Sequence, residues 1–217
     1  MTEAPPRPPA AVTFDAIGAA YEDAFAASEP HRRSLDRLLE RLAPGSRVLD
    51  VGSGTGRPTA ETLTAAGHDV RGIDISPVMV EIAARQVPGA SFECADIRAL
   101  PLPRARFDAV CVYFSLLQMT RAEQSGLIGR LAEALRPGGH LVLATIPLEV
   151  EDVEVVFLGQ PVRATSFSAG QVAALVAEAG LTVLEREEAL FTPALPEAGP
   201  EPHLFLLCRR EDSTGRT

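Results

Sequence analysis

Apolar positions along the chain switch between a helical spacing and short unbroken runs, and the switches mark out the expected elements. Phe14, Ile17, Tyr21, Ala24 and Phe25 share one face at helical spacing, which predicts a first helix. A second has Pro30 in its first turn, carries Leu35, Leu38, Leu39 and Leu42, and stops at Pro44-Gly45. Arg47 to Val51 reads as a buried strand that ends at the loop Gly52-Ser53-Gly54-Thr55-Gly56, and a helix follows from near Pro58 to Gly67. Val70 to Ile73 is a second strand; after Asp74-Ile75 a helix opens with Ser76 at its N-cap and Pro77 at its first position. Ser91 to Ala95 and Asp108 to Tyr113 are the third and fourth strands.

Thr120 and Glu123 form a capping box ahead of a helix with Leu127, Leu131 and Leu135 on one face. Strand five, Leu141 to Thr145, follows Arg136-Pro137-Gly138-Gly139. A second capping box, Ser168 with Gln171, opens a helix bearing Val172, Leu175, Val176 and Ala179, with Gly180 as its stop. Two late strands, about Thr182–Glu188 and Leu204–Cys208, are joined by a proline-rich link (Phe191 to Pro202) and are expected to pair antiparallel. Alternating strands and helices of this kind predict an α/β fold, a doubly wound three-layer sandwich whose sheet is mostly parallel with one antiparallel strand near its end.

A length of 217 residues suits one domain, expected over residues 13–210, and a composition of 46% hydrophobic and 23% charged residues excludes wholesale disorder. Residues 1–12, with four prolines, are expected to be a disordered tail, and 211–217 to resemble them. Cys94, Cys111 and Cys208 lie far apart without a CxxC pair, which excludes a disulfide scaffold and fits a reducing cytosol, so the expected location is cytoplasmic. A net charge of −9 leaves no electrostatic footprint for a nucleic-acid backbone, and no apolar stretch reaches the roughly 18 residues of a membrane span. The expected partner is therefore a small molecule, with neither nucleic acid nor membrane involved; monomer and homodimer both stay open.

Ligands of an open α/β sheet bind outside the carboxyl ends of its strands. Asp50, Asp74 and Asp96 end three consecutive strands, 24 and 22 residues apart, so all three are expected to line one crevice. The glycine loop after the first of them lets backbone N–H groups approach a ligand closely. Asp74 is placed to accept from both hydroxyls of a ribose, Ile75 to cover a purine face, and Asp96 to accept from an exocyclic amine. A dinucleotide fingerprint would need a third glycine where Arg57 stands, and Asp50 beside the loop disfavours a diphosphate; both argue against an NAD-dependent oxidoreductase and for a cationic ligand such as a sulfonium or ammonium group.

Val48 to Gly56 resembles the S-adenosylmethionine-binding loop of class I methyltransferases. Gly72 to Ser76, Ala95-Asp96, Phe107 to Val110 and Leu135 to Gly139 match further motifs of that family in order. The resemblance covers about residues 12 to 210. It implies a seven-stranded sheet with the last strand inserted antiparallel. It further implies that Asp50 with Gly52, Ser53 and Gly54 holds the methionine part, Asp74 the ribose, and Ile75, Asp96 and Ile97 the adenine, with Met79 also in the cofactor set. Phe114 and Ser115 would lie under the methionine carboxylate and the methyl group. Tyr21 resembles an N-terminal tyrosine folded over the cofactor, in a helical lid spanning 13–44, and Phe14 stands where small-molecule members often carry another tyrosine. Gln118 stands where many have histidine, so no general base is assigned; Tyr21, Ser115 and Gln118 are the weak catalytic candidates.

The acceptor is expected over the crevice, between the N-terminal helices and an insertion at 146–166 that reads as a hairpin turning at Gly159-Gln160, with Phe14, Gln118, Phe157, Arg163 and Phe167 as contacts. His31, His68, His140 and His203 read as structural or solvated, His203 within the proline-rich link, and no residue cluster has metal-ligand spacing. The expected function is S-adenosylmethionine-dependent methyl transfer to O, N or C of a small molecule, with a composition compatible with specialised metabolism. The alternative is a non-methylating member of the fold that binds the cofactor structurally or catalyses a cyclisation.

Overall fold

The computed structural model describes residues 8–195 and 198–211. Strand β1 (Arg47–Val51) is buried from Val48 onward, as a run this apolar has to be. It pairs in parallel with β2 (Asp69–Asp74) on one side and β4 (Phe107–Tyr113) on the other. With β3 (Ser91–Cys94), β5 (Leu135–Thr145), β8 (Leu181–Phe191) and β9 (Glu201–Arg210) they form a seven-stranded sheet in the order β3-β2-β1-β4-β5-β9-β8. Strand β9 is inserted antiparallel between β5 and β8. The insertion forms a separate hairpin, β6 (Val153–Phe157) with β7 (Gln160–Ala164), whose pairing closes at Phe157 and Gln160.

The sheet's two faces bury separate cores. On one, Leu35 and Leu38 of α3 (Glu29–Leu39) and Ala60 and Leu63 of α4 (Thr59–Ala65) pack on Val48, Ala109, Cys111, Tyr113, Phe205 and Leu207. On the other, Leu127, Ile128 and Leu131 of α6 (Arg121–Ala134) and Val172 and Val176 of α7 (Ala169–Glu178) cover Leu49, Val110, Val112, Leu141, Leu143, Leu204 and Leu206. Alternate residues of β9 thus divide between the two layers, as period-two side chains must. Helix α5 (Pro77–Gln86) lies against β2 and β3. The caps are where the residue types predict them: Ser76 Oγ accepts from the Met79 N–H, and both Thr120–Glu123 and Ser168–Gln171 close as reciprocal capping boxes.

Four boundaries differ from the sequence pattern. Helix α1 spans Pro9–Ile17 and so begins inside the stretch expected to be a tail; a proline at the first turn has no N–H to lose there, and Ala11 is buried. The single helix expected over Phe14 to Phe25 is broken at Gly18, whose φ of +49° ends α1 before α2 (Ala20–Phe25). Strands β5 and β9 both begin earlier than their apolar runs, β9 at Glu201 within the proline-rich link. Helix α3 is tied to β8 by a stripe of guanidinium groups: Arg33 and Arg37 meet Glu187, and Arg37 and Arg41 meet Glu185. No helix among the described residues is long and apolar enough to cross a membrane.

Removing the Thr120 hydroxyl leaves a helix N–H without its acceptor. Thr120→Ala is expected to cost about 1 kcal/mol, read as a fall of roughly 2–4 °C in the melting temperature.

Candidate cofactor and acceptor site

The strand order reverses between β1 and β4: the chain leaves β1 toward β2 and β3, and leaves β4 toward β5. The loops that diverge there open the crevice at the carboxyl edge. They touch at one point, where a Cβ on Gly52 would lie 2.2 Å from the Ser115 Cβ, and Gly52 also has a φ of +71°. Only glycine fits there. Gly54, with φ +51°, faces open space instead, so no side chain screens the loop there. The loop is pinned to β2: the Gly52 and Ser53 N–H groups donate to the Ile73 carbonyl, at 2.8 and 3.1 Å. Asp74 accepts from the Gly54 N–H through one oxygen and from the Ser76 N–H through the other, both at 2.9 Å.

The crevice is strongly anionic. Asp50 is 2% exposed, and its Oδ2 has no hydrogen-bond partner among the described residues. Burial, reinforced by the charge of Asp74, pushes its pKa up from 3.8 to about 7. Asp74 is raised as well, mainly by burial, against the N–H groups of Ser76, Gly54 and Ile75 that favour its charge. Asp15 of α1 joins them by accepting a 2.6 Å hydrogen bond from the Ser76 hydroxyl. The Tyr21 phenol is pushed up by burial and then by Asp74, Glu201 and Asp50, so it sits within the field of all three acids. The Ser53, Thr55 and Ser115 hydroxyls are buried and without partners among the described residues. Unpaired acids and hydroxyls of this kind suit a cation that also carries hydroxyl groups.

Other expected residues lie as follows. Phe114, first after β4, has a φ of +56°. Ile75 is half-buried, whereas Met79 and Ile97 are buried, Ile97 within the α6/α7 core. Asp96 is held by Arg98, whose side chain and N–H both donate to it and whose other arm reaches Glu123 at 2.9 Å. That clamp keeps the Asp96 carboxyl below its ordinary range. Phe14, Tyr21 and Phe157 meet in one aromatic cluster, joined by Phe25 and, through Phe25, by Phe191 of β8. Hairpin β6/β7 thus closes onto α1 and α2. Arg163 is exposed and pairs with Asp152, and Gln118 is half-buried in the loop after β4. Phe167 lies apart from the cluster, under the Arg121 guanidinium and against the α6/α7 core.

Asp15, Phe25, Phe191, Glu201 and His203 also belong to this region and were not singled out by sequence. His203 is no loop residue: it pairs with Ala189 inside the sheet, 1% exposed, and its Nε2 lies 2.8 Å from Glu201 Oε1. Its period-two relation to Phe205 and Leu207 was the available signal. A cleft of about 210 Å³ also opens at the opposite, amino edge of the sheet among Arg47, Arg71 and Arg106. It is remote from the strand-end acids.

Asp50 makes stability depend on pH. Its native pKa of about 7 lies above the 3.8 of an exposed group, so the folded state binds the extra proton over that window and loses stability as pH rises through it. Asp50→Asn is therefore expected to be more stable than wild type by about 2–4 kcal/mol at pH 8. The gap should close toward pH 4 in denaturant melts; a gap independent of pH would mean that Asp50 carries no strain.

Residues 48–139 match the family model of a methyltransferase domain. Methyltransferase GfsG of Streptomyces halstedii is 33% identical over 172 residues, covering 73% of this chain and 61% of that protein. The 27-O-demethylrifamycin SV methyltransferase of Amycolatopsis mediterranei is 40% identical over 119 residues, covering 49% and 43%. This chain therefore spans less than two thirds of the length of either relative. Among solved structures, the 1,6-didemethyltoxoflavin-N1-methyltransferase of Burkholderia thailandensis, with its substrate and S-adenosylhomocysteine bound, superposes with a TM-score of 0.70 at 21% identity, covering 97% and 94%. The glycine loop at the switch point, the seven strands with β9 inserted antiparallel and the match over residues 48–139 identify a methyltransferase domain with the fold of the class I S-adenosylmethionine-dependent family.

Proposed function

We propose that this domain transfers a methyl group from S-adenosylmethionine to a small molecule bound under the aromatic cap. The observation that carries the reading is Asp50, a buried carboxylate with one orphaned oxygen beside a loop in which Gly54 faces open space. A diphosphate would be repelled there, and an ammonium or sulfonium would supply the missing partner. Asp50 and the Gly52–Gly54 backbone would hold the amino-acid end of the cofactor. Asp74 is held in orientation by the Gly54 and Ser76 N–H groups, and its outer lone pairs would accept from a ribose. Ile75 would cover the base. Asp96, clamped by Arg98, would accept from the adenine amine.

S-adenosylmethionine supplies, when bound, a sulfonium methyl group whose departing sulfur is neutral. The protein's part is to position the acceptor and to keep water out. Phe14, Tyr21, Phe25, Phe157 and Phe191 provide a dry, apolar roof from four separate elements. The names of the relatives include transfer to an oxygen and to a ring nitrogen, and either acceptor atom is compatible with such a roof.

Isothermal calorimetry with S-adenosylhomocysteine and with NADH tests the cofactor assignment. The expected result is saturable binding of S-adenosylhomocysteine alone, weakened about tenfold or more in Asp74→Ala, since a ribose hydroxyl loses a charged acceptor. Saturable NADH binding, or none of either ligand, would overturn it. A panel of hydroxylated and amino compounds would then be assayed for release of S-adenosylhomocysteine. Tight binding with no turnover of any acceptor would favour the non-methylating alternative.

A further inference from the structure

The least explained buried group in the molecule is His203. Because β9 runs against its neighbours, its first residues return to the carboxyl edge of the sheet, where the strand-end acids lie. The imidazole is 1% exposed and packs against Phe114, 4.5 Å between ring centres, and Phe191, at 5.3 Å. Phe114 immediately precedes Ser115, which touches Gly52 of the cofactor loop. Phe191 belongs to the aromatic roof through its stack with Phe25. His203 therefore stands at the boundary between the loop assigned to the cofactor and the cap assigned to the acceptor.

The two ring nitrogens are treated differently. Nε2 lies 2.8 Å from Glu201 Oε1, and a carboxylate there requires Nε2 to carry the proton. Nδ1 then presents a bare lone pair, and it is buried with no partner among the described residues. A histidine kept only for packing has both nitrogens satisfied as a rule, because an orphaned buried acceptor costs about 1–3 kcal/mol. Two titratable groups act directly with His203: Glu201 on its own strand, at 2.8 Å, and His31 of α3. Burial and the neighbouring His203 press His31 down to about 3, so it stays neutral and does not compete for the proton. The charge of Glu201, with those of Asp74 and Asp50, raises the Tyr21 phenol, so Glu201 acts on the same side of the sheet as the strand-end acids.

We propose that His203 is the general base of the reaction, its Nδ1 accepting the proton of a hydroxyl acceptor while Glu201 acts as the positioning residue that fixes its tautomer. The inference rests on the proposed methyl transfer and narrows its acceptor to a neutral alcohol or phenol. The acceptor's O–H bond breaks and its proton moves to Nδ1. The oxygen forms the new bond to the methyl carbon, and the carbon–sulfur electron pair leaves with the sulfur. Imidazolium formed in this way is stabilised by Glu201 and returns its proton to solvent when the cap opens.

Nitrogen-15 NMR of the full-length, histidine-labelled protein tests the geometry without turnover, with His203→Gln assigning the signal. The expected spectrum shows the His203 tautomer that is protonated on Nε2 and bare on Nδ1. In Glu201→Ala that preference is lost. Adding phenol as the probe to protein saturated with S-adenosylhomocysteine is expected to shift the Nδ1 resonance. A proton on Nδ1, or no response to phenol while S-adenosylhomocysteine binds normally, would overturn the proposal. In the acceptor screen, His203→Gln should lower kcat for hydroxylated acceptors by about 10²–10⁴-fold, with the dissociation constant of S-adenosylhomocysteine unchanged within about twofold. Glu201→Ala should lower kcat with little change in KM. Turnover confined to amines, or undiminished in His203→Gln, would refute the assignment while leaving the cofactor reading intact. Failure to bind S-adenosylhomocysteine would instead strike the cofactor reading, and the tautomer spectrum would still decide this one.

Discussion

Holding Asp50 inside the sheet with one carboxylate oxygen unpaired costs free energy that a polar neighbour could recover, and the surrounding residues are arranged so that none does. The strand that carries it is buried from Val48 to Val51 and flanked by β2 and β4, so the carboxylate cannot turn to water. Asp74, the nearest charge, is of the same sign and already committed to the Gly54 and Ser76 N–H groups. Glycine at 52 is then obligatory, because the loop that leaves this strand passes against Ser115 with no room for a Cβ. A strained, preorganised acid is what an electrostatic binding site requires. The anionic character of the crevice centres on that buried group, at the point where the strand order reverses.

The rest of the molecule divides into a rigid platform and a cover. Two apolar layers, one on each face of the sheet, fix the strand ends to which the acids are attached. The cover is assembled from α1, α2, the β6/β7 hairpin and the end of β8, and its rings come from all four. Beside it, guanidinium–carboxylate contacts tie α3 to β8 within the platform. Apolar contacts between separate elements part more readily than a sheet does. On the proposed function, an acceptor would enter by parting this cover rather than the platform.

Much of this was legible along the chain because it is local. Cap residues, the glycine loop, the strand–helix alternation and the acids at successive strand ends each announce themselves within a few residues. Their one-unit spacing was enough to bring Asp50 and Asp74 to the same edge. The end of β1, the caps at Ser76, Thr120 and Ser168, and the antiparallel pairing of the last two strands depend on short-range chemistry of the same kind. The start of α1 at Pro9 and the break at Gly18 were harder, since a proline-rich start and a mid-stripe glycine are compatible with more than one path.

What only the tertiary structure decided were the pairings between distant residues. Asp96 could be read as an acid at a strand end, but not as one clamped by Arg98 and linked through it to Glu123. Asp15 reaches the acids only because α1 folds back over Ser76. His203 sits among prolines in the sequence, and the register of β9 alone turns it inward, beside Glu201 and against Phe114. The physical reason is the same in each case. Period and capping are properties of a short segment, whereas the partner of a charge or an imidazole depends on which strand lies next to it, and long-range packing makes that choice.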